Sequence, residues 1–184
     1  TSQKEFTVTA QNSTISDSIA SGEVGLEFTF DTTKLAGKDT VVFETLKYKG
    51  KEIANHRDIN DDNQTLRHPE IKTKAHSVES GTNTGAPSKE EKIIDKVKYK
   101  NLIIGKKYKV TGVLMDKDKN KPILDKDDKE ITAEKEFTAE NADGEIELEF
   151  RYDSTLRQDK VTVVFETLTY RNVPVAVHAD IDDS

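Results

Sequence analysis

Two of the four histidines in this chain recur in matching places. His56 and His178 each lie 12 residues beyond a glutamate, Glu44 and Glu166, and at one fixed spacing from an aspartate, Asp31 and Asp153. An imidazole changes charge near neutral pH, so one set between a hydroxyl and a carboxyl can take a proton and return it. Other chemistries find less support. No Gly-x-Ser-x-Gly elbow presents a serine nucleophile, and no cluster of His or Cys would hold zinc. Asp58-Ile59-Asn60-Asp61-Asp62-Asn63 opens like a calcium loop. However, Asn63 stands where the tight turn wants Gly, and Pro69 stands where a bidentate Glu is needed. Asp116-Lys117-Asp118-Lys119-Asn120 fails in the same way at Lys121. Both read as acidic surface loops, and neither a metal nor a cofactor is expected. Duplication carries structural residues along as readily as functional ones, so on residue types alone the recurring histidines read first as structural.

The elements that must position them are themselves duplicated. Val41-Val42-Phe43-Glu44-Thr45-Leu46 returns as Val163-Val164-Phe165-Glu166-Thr167-Leu168, and the offset of 122 holds without a gap back to Gly22 and Gly144. A period this long means tandem domains rather than a solenoid. Of the 184 residues, 34% are charged and 33% hydrophobic, and no run approaches a membrane span. The chain has no Cys, which excludes disulfides and thiolate chemistry. Its net charge of −7, without a basic patch interleaved with aromatics, argues against nucleic acid. It carries no signal peptide, so export would rest on segments outside this sequence.

Period-2 alternation dominates from end to end. Phe6, Val8 and Ala10 alternate, as do Val24, Leu26, Phe28 and Phe30. Val41–Tyr48 and Glu52–His56 predict a hairpin around Lys49-Gly50-Lys51. In the second half, strands are expected over Ile71–Val78, Ile93–Tyr99, Lys107–Met115, Pro122–Leu124 and Ile131–Phe137. The segment from Gly144 then repeats the first half. The fold class is all-β: tandem Ig-like (CnaB-like) β-sandwiches, the first represented only by its C-terminal half. Residues 1–67 make that half. Residues 68–184 make a second repeat that stops short of the end of its last strand.

The Val-Val-Phe-Glu segment, Phe28-Thr29-Phe30-Asp31, and the His-x-Asp-x-x-Asp-x-x-Gln ending (His56, Asp58, Asp61, Gln64) resemble the VaFE-type repeats of Gram-positive surface adhesins. So do Pro69-Glu70-Ile71-Lys72-Thr73, Asp95–Leu102, and Gly105 followed by Tyr108, Val110 and Gly112. These Ig-like domains are cross-linked by an internal Thr–Gln ester bond, and the resemblance covers almost the whole chain. It implies Thr73 as nucleophile, Asp95 and Asp153 as an acid pair, and His178 as the proton-transfer residue. In the first repeat Asp31, His56 and Gln64 match. Glu44 and Glu166 are rival acids, ranked lower because they sit mid-strand. The counterpart of Gln64 would fall two residues past Ser184, and the first repeat lacks an upstream Thr and Asp, so neither repeat holds a complete set.

The resemblance implies stalk domains of a cell-wall-anchored adhesin, extracellular, adjoining other repeats of the same protein or a complementing chain or strand. The cross-link would be one self-reaction, not turnover. A rival is an adhesin module binding host matrix protein or glycan, although the chain has no Trp and its aromatics fall mostly on predicted core faces. A hydrolase using Thr73 or His178 is a third reading, with no substrate-pocket signature behind it.

Overall fold

Strict alternation builds the second repeat. Along β6 (Glu91–Lys100), Ile93, Asp95, Val97 and Tyr99 face inward while Lys96, Lys98 and Lys100 face solvent. β10 (Gly144–Tyr152) likewise buries Leu148 and Phe150 and exposes Glu145, Glu147 and Glu149. With β5 (Glu70–Ser77) they make an antiparallel sheet in the order β10-β6-β5. The facing sheet is centred on β7 (Lys107–Asp116). One edge of β7 pairs with β11 (Thr162–Tyr170), which in turn pairs with β12 (Val173–His178). Its other edge takes β8 (Lys121–Pro122) and β9 (Thr132–Thr138). Val97, Val110, Leu114, Leu148, Phe150 and Leu168 fill the space between the sheets. The result is an all-β sandwich.

One inner-face position of β7 is a glycine for a steric reason. A Cβ at Gly112 would lie 2.7 Å from Phe150 Cζ and 2.9 Å from Leu148 Cδ1. The missing side chain leaves room for the phenyl ring. Phe150→Ala is therefore expected to cost about 3–5 kcal/mol. Denaturant titration checks this through a lowered midpoint at unchanged slope. A cost below about 1 kcal/mol would contradict this account of the core.

The computed structural model describes Glu5 and residues 23–182. It resolves two compact units, 1–34 and 35–184, so the boundary between the repeats lies inside the second unit. Within that unit the first repeat forms β1 (Lys38–Val41), β2 (Glu44–Tyr48), β3 (Lys51–His56), a 3-10 turn (Asp62–Gln64) and β4 (Thr65–His68). The β2–β3 hairpin turns through Lys49 and Gly50, both at positive φ, the geometry that matches strand twist.

Two sequence expectations fail here, for one physical reason. The run Val41–Tyr48 is not a single strand: it breaks at Val42-Phe43, with β1 pairing β4 and β2 pairing β3. Its counterpart β11 stays continuous because β7 runs alongside it throughout. Residues 23–30 form no strand either. Phe28 is 43% exposed, whereas its counterpart Phe150 is 1% exposed. Phe150 lies on β10, which is laddered to β6, whereas residues 23–30 form no ladder among the described residues. Strands are made by their partners as much as by their pattern. The expected strand at Phe6, Val8 and Ala10 lies outside the described residues.

A bracket fixes the joint between the repeats. Asn101, at φ 63°, donates Nδ2 to the Lys38 carbonyl (2.9 Å) and to Asp39 Oδ1 (2.6 Å). Arg67 reaches Asp39 at 3.4 Å and Asp62 at 3.0 Å.

Candidate functional site

Four side chains from four strands converge at the edge of the sandwich. Alternation along β5 turns Thr73 inward, and the same rule on β6 turns Asp95 inward. On the facing sheet, Glu166 of β11 stands directly opposite His178 of β12 in the hairpin register. Thr73 Oγ1 lies 3.2 Å from His178 Nδ1, and Glu166 Oε2 lies 3.1 Å from the same nitrogen. The Glu166 side chain is fully buried and Asp95 is 0% exposed.

The two carboxyls define the electrostatics. Burial pushes the Asp95 pKa up. The Glu166 carboxyl against it partly offsets that rise, followed by weaker contributions from His178, the Lys74 backbone and His76. Neither Asp95 oxygen makes a hydrogen bond of full geometry, although the Glu166 carboxyl and the Lys74 backbone both bear on them. Two carboxyls buried against one another resist ionising together, so the Asp95–Glu166 pair favours keeping a proton. A hydroxyl, an imidazole and a proton-bearing acid pair within one cluster can activate a nucleophile and protonate a leaving group.

The T-Q ester bond containing domain family matches residues 1–68 and 69–184, the whole chain in two segments. The chain belongs to this family. Solved structures of a bacterial adhesin from Mobiluncus mulieris containing intramolecular disulfide, isopeptide and ester bond cross-links share its fold. In two crystal forms the likeness has a TM-score of 0.50 at 17% and 16% identity. It covers 64% of this chain and 55% of the adhesin chain. No curated protein sequence matches. Membership sets the chain among domains that contain a T-Q ester bond.

In this T-Q ester bond domain Thr73, Asp95 and His178 come together, but Asp153 does not join them. β10 ends at Tyr152, and Asp153 beyond it is exposed. Its Oδ1 accepts the Thr155 N–H (2.9 Å) and hydroxyl (2.6 Å), which hold its carboxyl below the usual range. Asp31 makes the same turn in the first repeat, with its Oδ1 accepting the Thr33 N–H at 2.9 Å. The two aspartates therefore recur as turn formers, and the partner of Asp95 is Glu166. A mid-strand position does not disqualify Glu166. It lies on the inward face between Val164 and Leu168, and that is what carries it over the core. A glutamate within an apolar face, at a hairpin spacing from a recurring histidine, was the available signal.

The first repeat carries matching pieces in exposed form. Glu44 opposes His56 across β2–β3, with Glu44 Oε2 3.7 Å from His56 Nδ1. The other ring nitrogen, Nε2, lies 3.0 Å from Asp61 Oδ2. Asp61 also caps the 3-10 turn by accepting the Asn63 N–H at 2.8 Å. Gln64 closes that turn half-buried, its carbonyl accepting the Val42 N–H at 3.0 Å. Among the described residues its side chain makes no hydrogen bond to Thr73, Glu166 or His178. Sequence reasoning passed over Asp61 as a partner of His56, although its place in the His-x-Asp-x-x-Asp ending marks it. Its counterpart Asp183 lies outside the described residues.

Proposed function

We propose that residues 69–184 are a self-cross-linking shaft domain of a bacterial surface adhesin, in which the Thr73 hydroxyl forms an ester with a glutamine side chain. The observation that carries this reading is the convergence of Thr73, His178 and Glu166 at 3.2 and 3.1 Å, from positions 105 and 12 residues apart. By the offset of 122 the position of Gln64 corresponds to one two residues beyond Ser184, and there the proposal places the glutamine.

The shared nitrogen sets the order of events. Nδ1 cannot donate to Glu166 and accept from Thr73 at once, so attack requires the imidazole hydrogen on Nε2. In the first repeat Asp61 Oδ2 lies 3.0 Å from His56 Nε2, and a carboxylate acting in the same way on His178 would hold that tautomer. Nδ1 then takes the Thr73 proton as Oγ1 bonds to the amide carbon. The resulting Nδ1–H donates to Glu166 Oε2. The imidazolium then passes the proton taken from Thr73 to the amide nitrogen, the C–N bond breaks, and ammonia leaves. The proton shared by Asp95 and Glu166, in a site without bulk water, polarises the amide carbonyl as charge develops. Folding supplies the proximity that a weak nucleophile and a poor electrophile need.

Mechanical function follows from which strands are joined. β5 opens the domain and the glutamine segment closes it, so a bond between them stops the terminal strands from shearing apart under load. A chain with no Cys gains its covalent staple this way. The likeness in fold to the Mobiluncus mulieris adhesin supports a surface location, and the proposal places the domain in a wall-anchored stalk. Proteolytic mapping of a chain extended through that glutamine tests the reading. A branched peptide joining the Thr73 and glutamine fragments, cleaved by hydroxylamine, is expected. Two linear peptides would refute it.

A further inference from the structure

Gly112 stands inside β7, and the cross-linking chemistry gives it no part. A glycine within a strand weakens it, because it has no side chain to pack and much backbone freedom to lose. The backbone does not require one here, since the φ of Gly112 is not in the left-handed region. Register supplies another reason. In the β7–β11 ladder Gly112 stands directly opposite Glu166. In the facing sheet Leu148 of β10 stands directly opposite Asp95 of β6. Opposed residues in a ladder have Cα atoms about 4.5–5.5 Å apart. Each member of the acid pair therefore has one close neighbour across its rung, a glycine for Glu166 and a leucine for Asp95.

The two rungs press on one another across the core. Leu148 Cδ1 lies 2.9 Å from the place a Gly112 Cβ would take, and the Glu166 carboxyl bears on Asp95 beside it. The Phe150 ring tip, Cζ, lies 2.7 Å from the same place. Asp95, Leu148, Phe150 and Glu166 are all buried. Carbon atoms pack best at about 3.5–4.0 Å, so a methyl at position 112 would need about 1 Å of extra space. Val110 and Leu114, the inward positions on either side, carry full side chains, so the narrow place is confined to the rung of the acid pair. Asp95 has a short side chain and no other hydrogen bond of full geometry to hold it. It cannot follow a partner that moves away.

We propose that Gly112 is a positioning residue for the cross-linking reaction: with no side chain, it lets the Leu148–Asp95 rung close on the Gly112–Glu166 rung and so joins the two carboxyls. Leu148 transmits the spacing, since it touches the glycine and stands beside Asp95. Gly112 itself touches no reacting atom and acts through the acid pair. The consequence for rate rests on the ester reading above, whereas the consequence for the carboxyls does not. His178 and His76, the other titratable groups that bear on Asp95, lie on β12 and β5 and are not displaced by a methyl on β7.

Gly112→Ala is the test. In the chain extended through the glutamine, cross-linking should slow about 10²-fold, the effect of a displacement near 1 Å at reacting groups. In the 184-residue chain, carbon-13 NMR titration of the carboxyls reads the acid pair without any ester. Carboxyls held apart no longer oppose one another's ionisation, so the proton kept by the pair should leave at lower pH than in the unsubstituted chain. Leu102→Ala, which removes core packing beyond the end of β6, should change neither the rate nor the titration. Circular dichroism checks folding. If the single variant does not fold, Gly112→Ala with Phe150→Leu carries the same test, because it removes the ring tip and keeps Leu148 against the new methyl. An unchanged carboxyl titration in the folded variant would overturn the proposal, as would an equal shift in Leu102→Ala. A shifted titration in an extended chain that never cross-links would support the spacing role and sink the ester reading instead.

Discussion

Thr73→Ala abolishes self-cross-linking. In a chain extended through a glutamine two residues beyond Ser184, the unsubstituted domain is expected to lose the mass of one ammonia on folding, and the alanine variant to keep it. Thr73 Oγ1 is the hydroxyl set against His178 Nδ1, at 3.2 Å. The substitution is a clean one because Thr73 is half-buried near an edge, so removing its hydroxyl should shift stability by only about 0.5–1 kcal/mol. His178→Ala leaves the nucleophile but removes the base, and should slow the reaction about 10²–10⁴-fold. Intact mass followed over time separates the two. If the alanine variant at position 73 still lost ammonia, the nucleophile would be some other residue and the reading of the site would fall.

Glu166→Gln is expected to slow cross-linking about 10²–10³-fold, while Asp153→Asn leaves it unchanged. The first substitution removes the carboxylate that receives the His178 Nδ1–H, and leaves Asp95 facing an amide that cannot share its proton. The second changes an exposed turn in which the asparagine carbonyl still accepts from Thr155. Equal slowing in both variants would restore Asp153 to the acid pair and remove Glu166 from it. A pH profile gives a second readout. Burial raises the Asp95 pKa, so the folded state holds this proton to higher pH than the unfolded chain does. The stability linked to it is full below the usual carboxylate range and is lost as pH rises through the raised folded value. The cross-linking rate should fall through that same interval as the pair gives up its proton.

Much of this was legible from residue order. Alternation in Lys107–Met115 and Ile93–Tyr99 locates β7 and β6 to within a residue or two at each end. The offset of 122 identifies a tandem repeat with a boundary expected at 67/68, and the family model matches two segments that meet at 68/69. Alternation names the face of a strand on which a residue lies, and that sufficed to turn Thr73 and Asp95 inward. It does not say what stands across the gap between two sheets. Asp153 and Glu166 both recur at constant distance from a histidine, and only the packing of β11 over β6 decides which carboxyl reaches Asp95.

The chain by itself determined an all-β sandwich, the hairpin that sets Glu166 against His178, and the inward faces of β5 and β6. These are local properties, since period-2 patterning and turn chemistry act within one strand or between neighbours. Tertiary structure alone decided the rest. It chose Glu166 over Asp153 by the approach of two sheets, and it raised the Asp95 pKa by closing water out. It also left Phe28 and Phe30 exposed where Phe150 is buried, although the local pattern is shared: β10 is laddered to β6, and residues 23–30 form no strand. A strand's pattern states what it can bury, and the burial itself comes from the strand next to it and the sheet across from it.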